Sequence, residues 1–319
     1  MITRRQALLG AAALPLVSVA AASQSVTLLV GAKPGSASDA TARAFIPFLG
    51  RHTPGVEFRV VNLPGSTGLA ALQELARAEP TGRVVGWVAT PTLPARMVDH
   101  SADDLLQRIV LVGAVEKEPV AIVSPAASPL NSVQDIVAKA AEDADAVPLG
   151  TPPPGSPAHL AALRLQALAG TRLNIIAFPS VAAARQAAIA GNVVAAALGL
   201  SNAIGDLRDG RLTGLGIAAM SRADAFPDLP PLRDSGLDLS ALIRRGLAVP
   251  AGVPDAALGP LSAALREAAD DAAFHDLAND CGFAAGWRDG AAWTAEAEDQ
   301  RTELAKLWST EPWLQEGSD

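Results

Sequence analysis

A short apolar strand, a turn rich in Gly, Ser, Thr and Pro, and an amphipathic helix follow one another three times in this chain. The strands and turns of the three units occupy residues 26–39, 58–68 and 147–159. Strand–helix–strand units of this length predict right-handed crossovers and a parallel sheet covered by helices. Each unit also directs the backbone N–H groups of a helix start toward the end of a strand. This arrangement favours the binding of a small anion without a cationic side chain.

Length and composition limit the fold and its partners. The 319 residues suffice for about two domains with sizeable cores. Half of the residues are hydrophobic, but only 4% are aromatic and none is Tyr. Apolar content carried by Ala and Leu is typical of a helix-rich α/β protein. The net charge of −8 argues against a nucleic-acid partner, and it means that local dipoles would have to hold an anion.

The first 22 residues have the features of an export signal. Arg4 and Arg5 precede an apolar stretch that ends in small residues suited to signal peptidase. The arginine pair also resembles a twin-arginine signal. No Cys follows the stretch, so no lipid attachment is expected, and no later stretch is long and apolar enough to span a membrane. We expect cleavage near residue 22 and a soluble protein in the periplasm.

The order of predicted elements indicates two lobes. Apolar runs at 110–113 and 120–123 predict a pair of strands that leads into a second lobe, and the chain returns between residues 222 and 247. The predicted division is an export signal at 1–22, a first lobe of 23–121 plus 241–319, and a second lobe of 122–240. Each lobe is expected to be a mostly parallel sheet flanked by helices. A cleft between lobes that are joined by two crossings suits closure on a ligand.

Two local predictions concern burial. Ala161, Leu165 and Leu168 share one face of the helix after the third turn, so all three are expected to be buried. Cys281 is the only cysteine, which excludes a disulfide within the chain. We expect it to be a small buried apolar residue.

Six segments, taken in order, resemble the substrate-binding receptors of tripartite tricarboxylate transporters, also called the Bug family. They are 34–43, 62–68, 150–160, 210–212, 222–230 and 246–254. No single segment is diagnostic, but the ordered set covers nearly the whole chain after the export signal. The resemblance implies a two-lobed periplasmic binding protein of the type II kind. Such a receptor grips a small carboxylate between its lobes and delivers it to membrane subunits, as a monomer and without catalysis or a cofactor.

The chain departs from the family pattern at four places. Leu63 stands where the family usually has Arg, and Val194 where it commonly has Asp. Phe178 begins a Phe-Pro-Ser segment in place of Tyr-Lys-Gly, and Arg244-Arg245 replaces an aromatic pair. The identity of the ligand therefore does not transfer. An apolar wall at Phe178 favours a monocarboxylate with an apolar or aromatic body, whereas entry of Arg244 or Arg245 into the cleft would indicate the opposite.

The predicted ligand contacts lie in the turns and at strand ends. In the first lobe they are Gly35, Ser36, Ala37, Ser38, Asp39, Gly65, Ser66, Thr67 and Thr90. In the second lobe they are Thr151, Ser156, His159, Phe178, Pro179 and Ser201. Backbone N–H groups and hydroxyls would grip the carboxylate, and the alternative is that these residues form ordinary helix caps and turns.

Three of these residues have a specific alternative role. Asp39 would repel a carboxylate if it faced the cleft, so we expect it to cap the helix or bond loop amides, or to orient the ligand as the resemblance implies. His159 is included on the resemblance alone, and its alternative is a capping or surface position. Phe178 is as well suited to the core as to the wall of a cleft.

Enzyme signatures are missing from the sequence. The four His residues are scattered, with no two at metal-ligand spacing. No Gly-x-Ser-x-Gly elbow, no dinucleotide-binding glycine motif and no P-loop occurs. We predict a periplasmic receptor for a small organic carboxylate. A receptor that feeds a signalling sensor kinase is the alternative, and an exported enzyme is a third reading.

Overall fold

The computed structural model describes residues 24–314, and the predicted export signal lies outside this range. The strands are β1 Gln24–Val30, β2 Val56–Asn62, β3 Val84–Thr90, β4 Ile109–Pro125, β5 Pro148–Thr151, β6 Asn174–Ala177, β7 Ala195–Gly199, β8 Leu212–Ile217, β9 Leu242–Pro250 and β10 Ala284–Asp289. The α-helices are α1 Ala37–His52, α2 Leu69–Arg77, α3 Thr92–Asp99, α4 Leu105–Arg108, α5 Val133–Glu142, α6 Pro157–Ala169, α7 Val181–Ile189, α8 Leu200–Arg208, α9 Asp255–Ala269, α10 Ala272–Cys281 and α11 Gly290–Thr310. Among these helices, none combines the length and the apolar character needed to cross a membrane.

Two mixed sheets share the long strand β4. The first has the order β2–β1–β3–β9–β4–β10, in which β1 is parallel to β2 and β3 and the other pairs are antiparallel. The second has the order β8–β4–β7–β5–β6, in which β5 is parallel to β6 and β7. The predicted strand–turn–helix units and the α/β class are confirmed. The sheets are mixed because β9 and β10 run against the parallel strands of the first sheet, and β4 runs against those of the second.

The predicted pair of strands between residues 110 and 123 is wrong, because β4 is one continuous strand of 17 residues. The charged segment that suggested a break contains Glu116 and Glu118. In a strand these two side chains point to the same face, and both contact Arg245 of β9 there. Residues 109–119 pair with β9, and residues 120–125 pair with β7 and β8.

The hydrophobic cores divide near the same point. Two clusters of buried side chains come from residues 26–115 and 247–297, and two more come from residues 120–243. The chain passes between these groups at adjacent points, where the Val120 N–H donates to the Ala241 carbonyl over 3.1 Å. This arrangement fits two lobes joined by β4 and β9, and the residue limits of the lobes stay a prediction.

Both predictions about burial need correction. Leu168 is 52% exposed, because the buried residues of α6 lie between Ala158 and Leu165 and the last turn projects into solvent. Cys281 is exposed at the end of α10. The next apolar side chain, Phe283, fills the core instead and packs against Phe274 with ring centroids 6.1 Å apart.

Candidate functional site

A cleft of about 780 Å³ lies where helix starts from both halves of the molecule face one another. Four segments form its mouth, and we call them loop 1 (residues 33–38), loop 2 (64–68), loop 3 (152–158) and loop 4 (179–182). Loops 1 and 2 belong to the predicted first lobe and loops 3 and 4 to the second. The deeper lining is largely apolar and includes Leu72, Trp87 and Val88.

About half of the predicted site residues come together in this cleft. Those in its lining are Gly35, Ser36, Ala37, Ser38, Gly65, Thr67, Ser156 and Pro179. Those outside its lining are Asp39, Thr90, Thr151, His159, Phe178 and Ser201. The side chain of Ser66 lies outside what the structure describes.

Loop 1 is held by hydrogen bonds within its own turn. The Ser36 N–H donates to the Lys33 carbonyl over 3.1 Å. The Gly35 N–H donates to Asp39 Oδ2 over 2.8 Å, and the Asp39 N–H donates to Ser36 Oγ over 3.4 Å. The backbone N–H groups of Gly35 and Ser36 are therefore engaged by the protein, although both residues line the cleft.

Asp39 braces loop 1 from behind. Its Oδ1 accepts hydrogen bonds from Arg43 Nε and Asn62 Nδ2, each over 2.9 Å. Burial raises the pKa of Asp39, but the hydrogen bonds from Arg43, Gly35 and Asn62 outweigh it and hold the pKa below its usual value. The carboxylate therefore stays ionised and bonded to the loop, which is the capping role expected as the alternative to ligand contact.

Loop 3 repeats the construction of loop 1. The Ser156 N–H donates to the Pro153 carbonyl over 3.0 Å. The Gly155 N–H donates to His159 Nδ1, and the His159 N–H donates to Ser156 Oγ, both over 3.4 Å. His159 thus takes the place that Asp39 has in loop 1. Burial lowers the pKa of His159 to about 4, so the neutral imidazole can accept this bond near neutral pH.

The first-lobe side of the cleft offers unpaired amides at the start of α1. The side chain of Ser36 caps the helix by accepting from the third residue, Asp39. The N–H groups of Ala37 and Ser38, the first two helical residues, have no protein acceptor among the described residues. Such groups carry the partial positive charge of a helix start and suit a carboxylate oxygen.

The second-lobe side offers fewer amides at α6 and more at α7. The first helical residue of α6 is Pro157, which has no N–H, so Ala158 supplies the unpaired amide there. At α7 the Ser180 hydroxyl accepts from the Ala183 N–H over 3.1 Å. That leaves the N–H groups of Val181 and Ala182 without an acceptor in the described part of the chain.

Arg245 reaches the cleft but is neutralised there. Its guanidinium contacts Glu116 Oε1 at 2.7 Å and Glu118 Oε2 at 2.8 Å, and all three side chains are buried. Burial raises the pKa of Glu116 to about 7, with Arg245 opposing the rise and Glu118 adding to it. Arg244 instead points to Glu296 of α11, at 2.8 and 2.9 Å. Arg245 therefore acts first as a structural partner of two carboxylates.

The predicted residues outside the cleft have structural partners or core positions. The Thr90 hydroxyl accepts from Trp293 Nε1 over 3.0 Å. Ser201 donates to Glu118 Oε1 through its N–H over 2.8 Å and its hydroxyl over 2.7 Å. Thr151 is fully buried. Phe178 is partly buried and packs against the second-lobe core beside Gly150, so the apolar wall inferred from it is not present in the cleft lining.

A comparison with known families decides the relationship. The model of the tripartite tricarboxylate transporter family receptor matches residues 55–303. The chain belongs to this family. The resemblance inferred from the six sequence segments is confirmed.

Relatives and solved structures agree with this assignment to the receptor family. A UPF0065 protein of Bordetella bronchiseptica is 30% identical over 292 residues, which cover 90% of this chain and 86% of that protein. A Rhodopseudomonas palustris protein with adipate has a TM-score of 0.81 at 19% identity and covers 90% of this chain and 96% of its own. MatC from the same organism, with bound malate, has a TM-score of 0.77 at 22% identity, with coverages of 89% and 98%. The shared fold confirms the predicted periplasmic-binding architecture.

The cleft of this family member is also lined by Val181, Ala182 and Arg185, which are not among the residues predicted from the sequence. The Arg185 side chain is 38% exposed and lines the cleft, with its Nε 3.6 Å from Asp206 Oδ2 and its Nη1 3.5 Å from the Asn202 carbonyl. It is the lining cation that is both anchored and solvent-accessible. The available signal was its position one turn into a helix that follows a strand and a Pro-Ser turn.

No group of three or more His, Cys, Asp and Glu side chains in residues 24–314 is arranged to hold a metal ion.

Proposed function

We propose that this protein is a periplasmic receptor that captures a small organic carboxylate between two lobes. The observation that carries the proposal is the meeting of unpaired helix-start amides from both lobes at one cleft, at Ala37 and Ser38 and at Val181 and Ala182. Amides at helix starts bind carboxylates through hydrogen bonds and the helix dipole. Malate and adipate in proteins of the same fold support a ligand of this chemical class.

The lining of the cleft refines the class of ligand. In this proposal, one carboxylate of the ligand binds the backbone amides of loop 1. A second acidic group of the ligand binds near Arg185 on the opposite side of the cleft. The apolar side chains of Leu72, Trp87 and Val88 suit a short hydrocarbon body between the two ends. A short dicarboxylate is therefore favoured over the monocarboxylate with an apolar or aromatic body that Phe178 suggested, because Phe178 packs against the core and is not part of the cleft lining.

Membership of the receptor family supports a biological role in uptake. Export through the signal at residues 1–22 places the receptor in the periplasm, where it acts as a monomer and catalyses no reaction. Closure on the ligand creates the surface that the membrane subunits of a tripartite tricarboxylate-type transporter recognise.

A thermal-shift screen tests the proposal. The protein is first unfolded and refolded to remove any bound ligand, and is then screened against malate, adipate, related carboxylates, their methyl esters, and sugars. A ligand at a hundred times its Kd stabilises by about 2.7 kcal/mol, which raises the Tm by several degrees. We expect acids to stabilise and the matched esters to bind at least about tenfold more weakly. Stabilisation by sugars or esters alone would refute carboxylate recognition.

Transport needs a separate experiment in cells. Deletion of the gene should abolish uptake of the radiolabelled carboxylate identified in the screen, and a plasmid copy should restore it. Unchanged uptake, with binding intact in vitro, would refute delivery to a transporter while leaving the receptor in place.

A further inference from the structure

A buried guanidinium lies directly behind loop 2. Arg96 of α3 is 1% exposed, and its guanidinium donates to Thr67 Oγ1 of loop 2 and to the carboxylate of Asp99. The Asp99 side chain is fully buried and accepts a hydrogen bond of 2.7 Å from Trp313 Nε1. A single polar cluster thus ties loop 2 to the segment that follows α11.

Loop 3 of the other lobe rests on the same cluster. A Cβ at Gly155 would overlap the Arg96 guanidinium and would lie 2.9 Å from Trp313 Nε1 and 3.0 Å from Asp99 Oδ2. Contacts this close leave no space for a side chain between the lobes. Position 155 therefore requires glycine for two reasons, which are this close approach and the positive φ of 69°.

Apolar side chains surround the polar contact. Leu160 and Leu163 of α6 pack with Ala95 of α3, Leu304 of α11 and Trp313. These five buried residues come from both predicted lobes. Separation of the lobes at this point would expose apolar surface to water and hydrate an ion pair that is otherwise dry.

We propose that Arg96, Asp99 and Trp313 form a latch between the lobes, which fixes loops 2 and 3 in the positions that hold the ligand. Thr67 and Ser156, one on each loop, line the cleft, whereas Arg96 does not. Arg96 is therefore a positioning residue that acts through the loops. The inference rests on the proposed function only in taking these loops as ligand-holding, because every contact of the latch is made between protein atoms.

Hydrogen–deuterium exchange of the ligand-free protein tests the latch. Arg96→Met should raise exchange about tenfold in both loop 2 and loop 3, while the cores of both lobes stay protected. Arg108→Met is the matched control, because Arg108 is a partly exposed arginine on the neighbouring helix α4. If Arg96→Met does not fold, Trp313→Phe removes one hydrogen bond of the latch and keeps an aromatic ring. Faster exchange confined to α3 or to the C-terminal segment would overturn the proposal.

A second variant tests the contact from the side of loop 3, with adipate as the probe. Gly155→Ala should weaken adipate binding at least about tenfold, because a Cβ there would displace the Arg96 guanidinium and loop 3. Gly170→Ala, at the other end of α6, is the control, because Gly170 has a φ of 61° and nothing within 4 Å of a Cβ. Equal binding by Gly155→Ala and wild type would overturn the latch. If wild type binds no carboxylate, the proposed function fails and the exchange experiment still decides the latch.

Discussion

Replacing Ala37 with Pro removes one unpaired N–H from loop 1, which lines the cleft, and leaves the rest of the loop in place. Ala37 is the first residue of α1, a position where Pro is favoured. The preceding Ser36 is extended, with φ −72° and ψ 164°, as a residue before Pro requires. Loop 3 already has this sequence, because Ser156, at φ −69° and ψ 155°, precedes Pro157. The substitution therefore copies a geometry that the chain uses elsewhere.

The expected loss of affinity follows from one hydrogen bond to a charged acceptor. Such a bond contributes about 1.5–3 kcal/mol, so the Kd should rise roughly tenfold to 150-fold. Binding should not be abolished, because the N–H of Ser38 remains. Since the lost N–H has no partner in the described part of the protein, the free energy of unfolding of the ligand-free protein should change by no more than about 0.5 kcal/mol.

Isothermal titration calorimetry with the carboxylate found in the screen measures this loss of affinity. The control is Ala272→Pro, at the exposed first residue of α10, where the preceding Asp271 is also extended. The control should bind with wild-type affinity. An Ala37→Pro variant that is folded and binds within about twofold of wild type would show that the amide of loop 1 does not contact the ligand. That result would refute the helix-start mechanism.

His159 and Glu116 should give the free energy of unfolding opposite dependences on pH. The adjacent residues Arg244 and Arg245 should differ in how much they contribute to that free energy. Because burial lowers the pKa of His159 from 6.5 to about 4, its contribution is complete above pH 6.5 and is lost as the pH falls toward 4, by up to about 3 kcal/mol. In urea unfolding, His159→Asn should lose this decline, and an unchanged slope would contradict it. Glu116, with its pKa raised from 4.5 to about 7, contributes fully below pH 4.5 and loses its contribution as the pH rises through 7. Glu116→Gln should therefore flatten the decline between pH 4.5 and about 7, and a persistent decline would assign it to another group. Arg245→Met should destabilise by about 3–5 kcal/mol because it leaves two buried carboxylates without their positively charged partner. Arg244→Met should cost about 1 kcal/mol or less, and equal losses would refute the distinction.

Local signals explain which parts of the fold could be predicted from the sequence. The strand–turn–helix units are predictable because apolar periodicity, capping serines and turn glycines all lie within a few neighbouring residues. The continuity of β4 is not predictable in this way. Its charged centre suggests a break, and the partner that makes burial possible, Arg245, lies 129 residues from Glu116 along the chain. Helix α3 is not predictable from the sequence, because Pro91 and Pro94 suggest a turn. In the structure both prolines lie at the start of the helix, where a missing N–H is tolerated.

The same reasoning applies to the candidate site. The loops could be located from the sequence, but the N–H groups that remain available to a ligand could not. The N–H groups of Gly35 and Gly155 donate hydrogen bonds to Asp39 and His159, and only the folded turns show this. Thr90 ends a strand as predicted, yet its hydroxyl faces Trp293, which is 203 residues away. Long-range contacts of this kind determine which of several plausible polar groups remain available to a ligand.

The passage of β4 through both sheets limits how the two halves of the molecule can move. The two connections between them are β4 and β9, which are hydrogen-bonded neighbours up to the crossing at Val120 and Ala241. A two-stranded ribbon twists and bends across its face readily, but sliding within its plane would break its ladder of hydrogen bonds. Rotation about one narrow axis is therefore the motion that this ribbon allows. A hinge of this kind would keep the opposing walls of the cleft in the same alignment if the lobes were to separate.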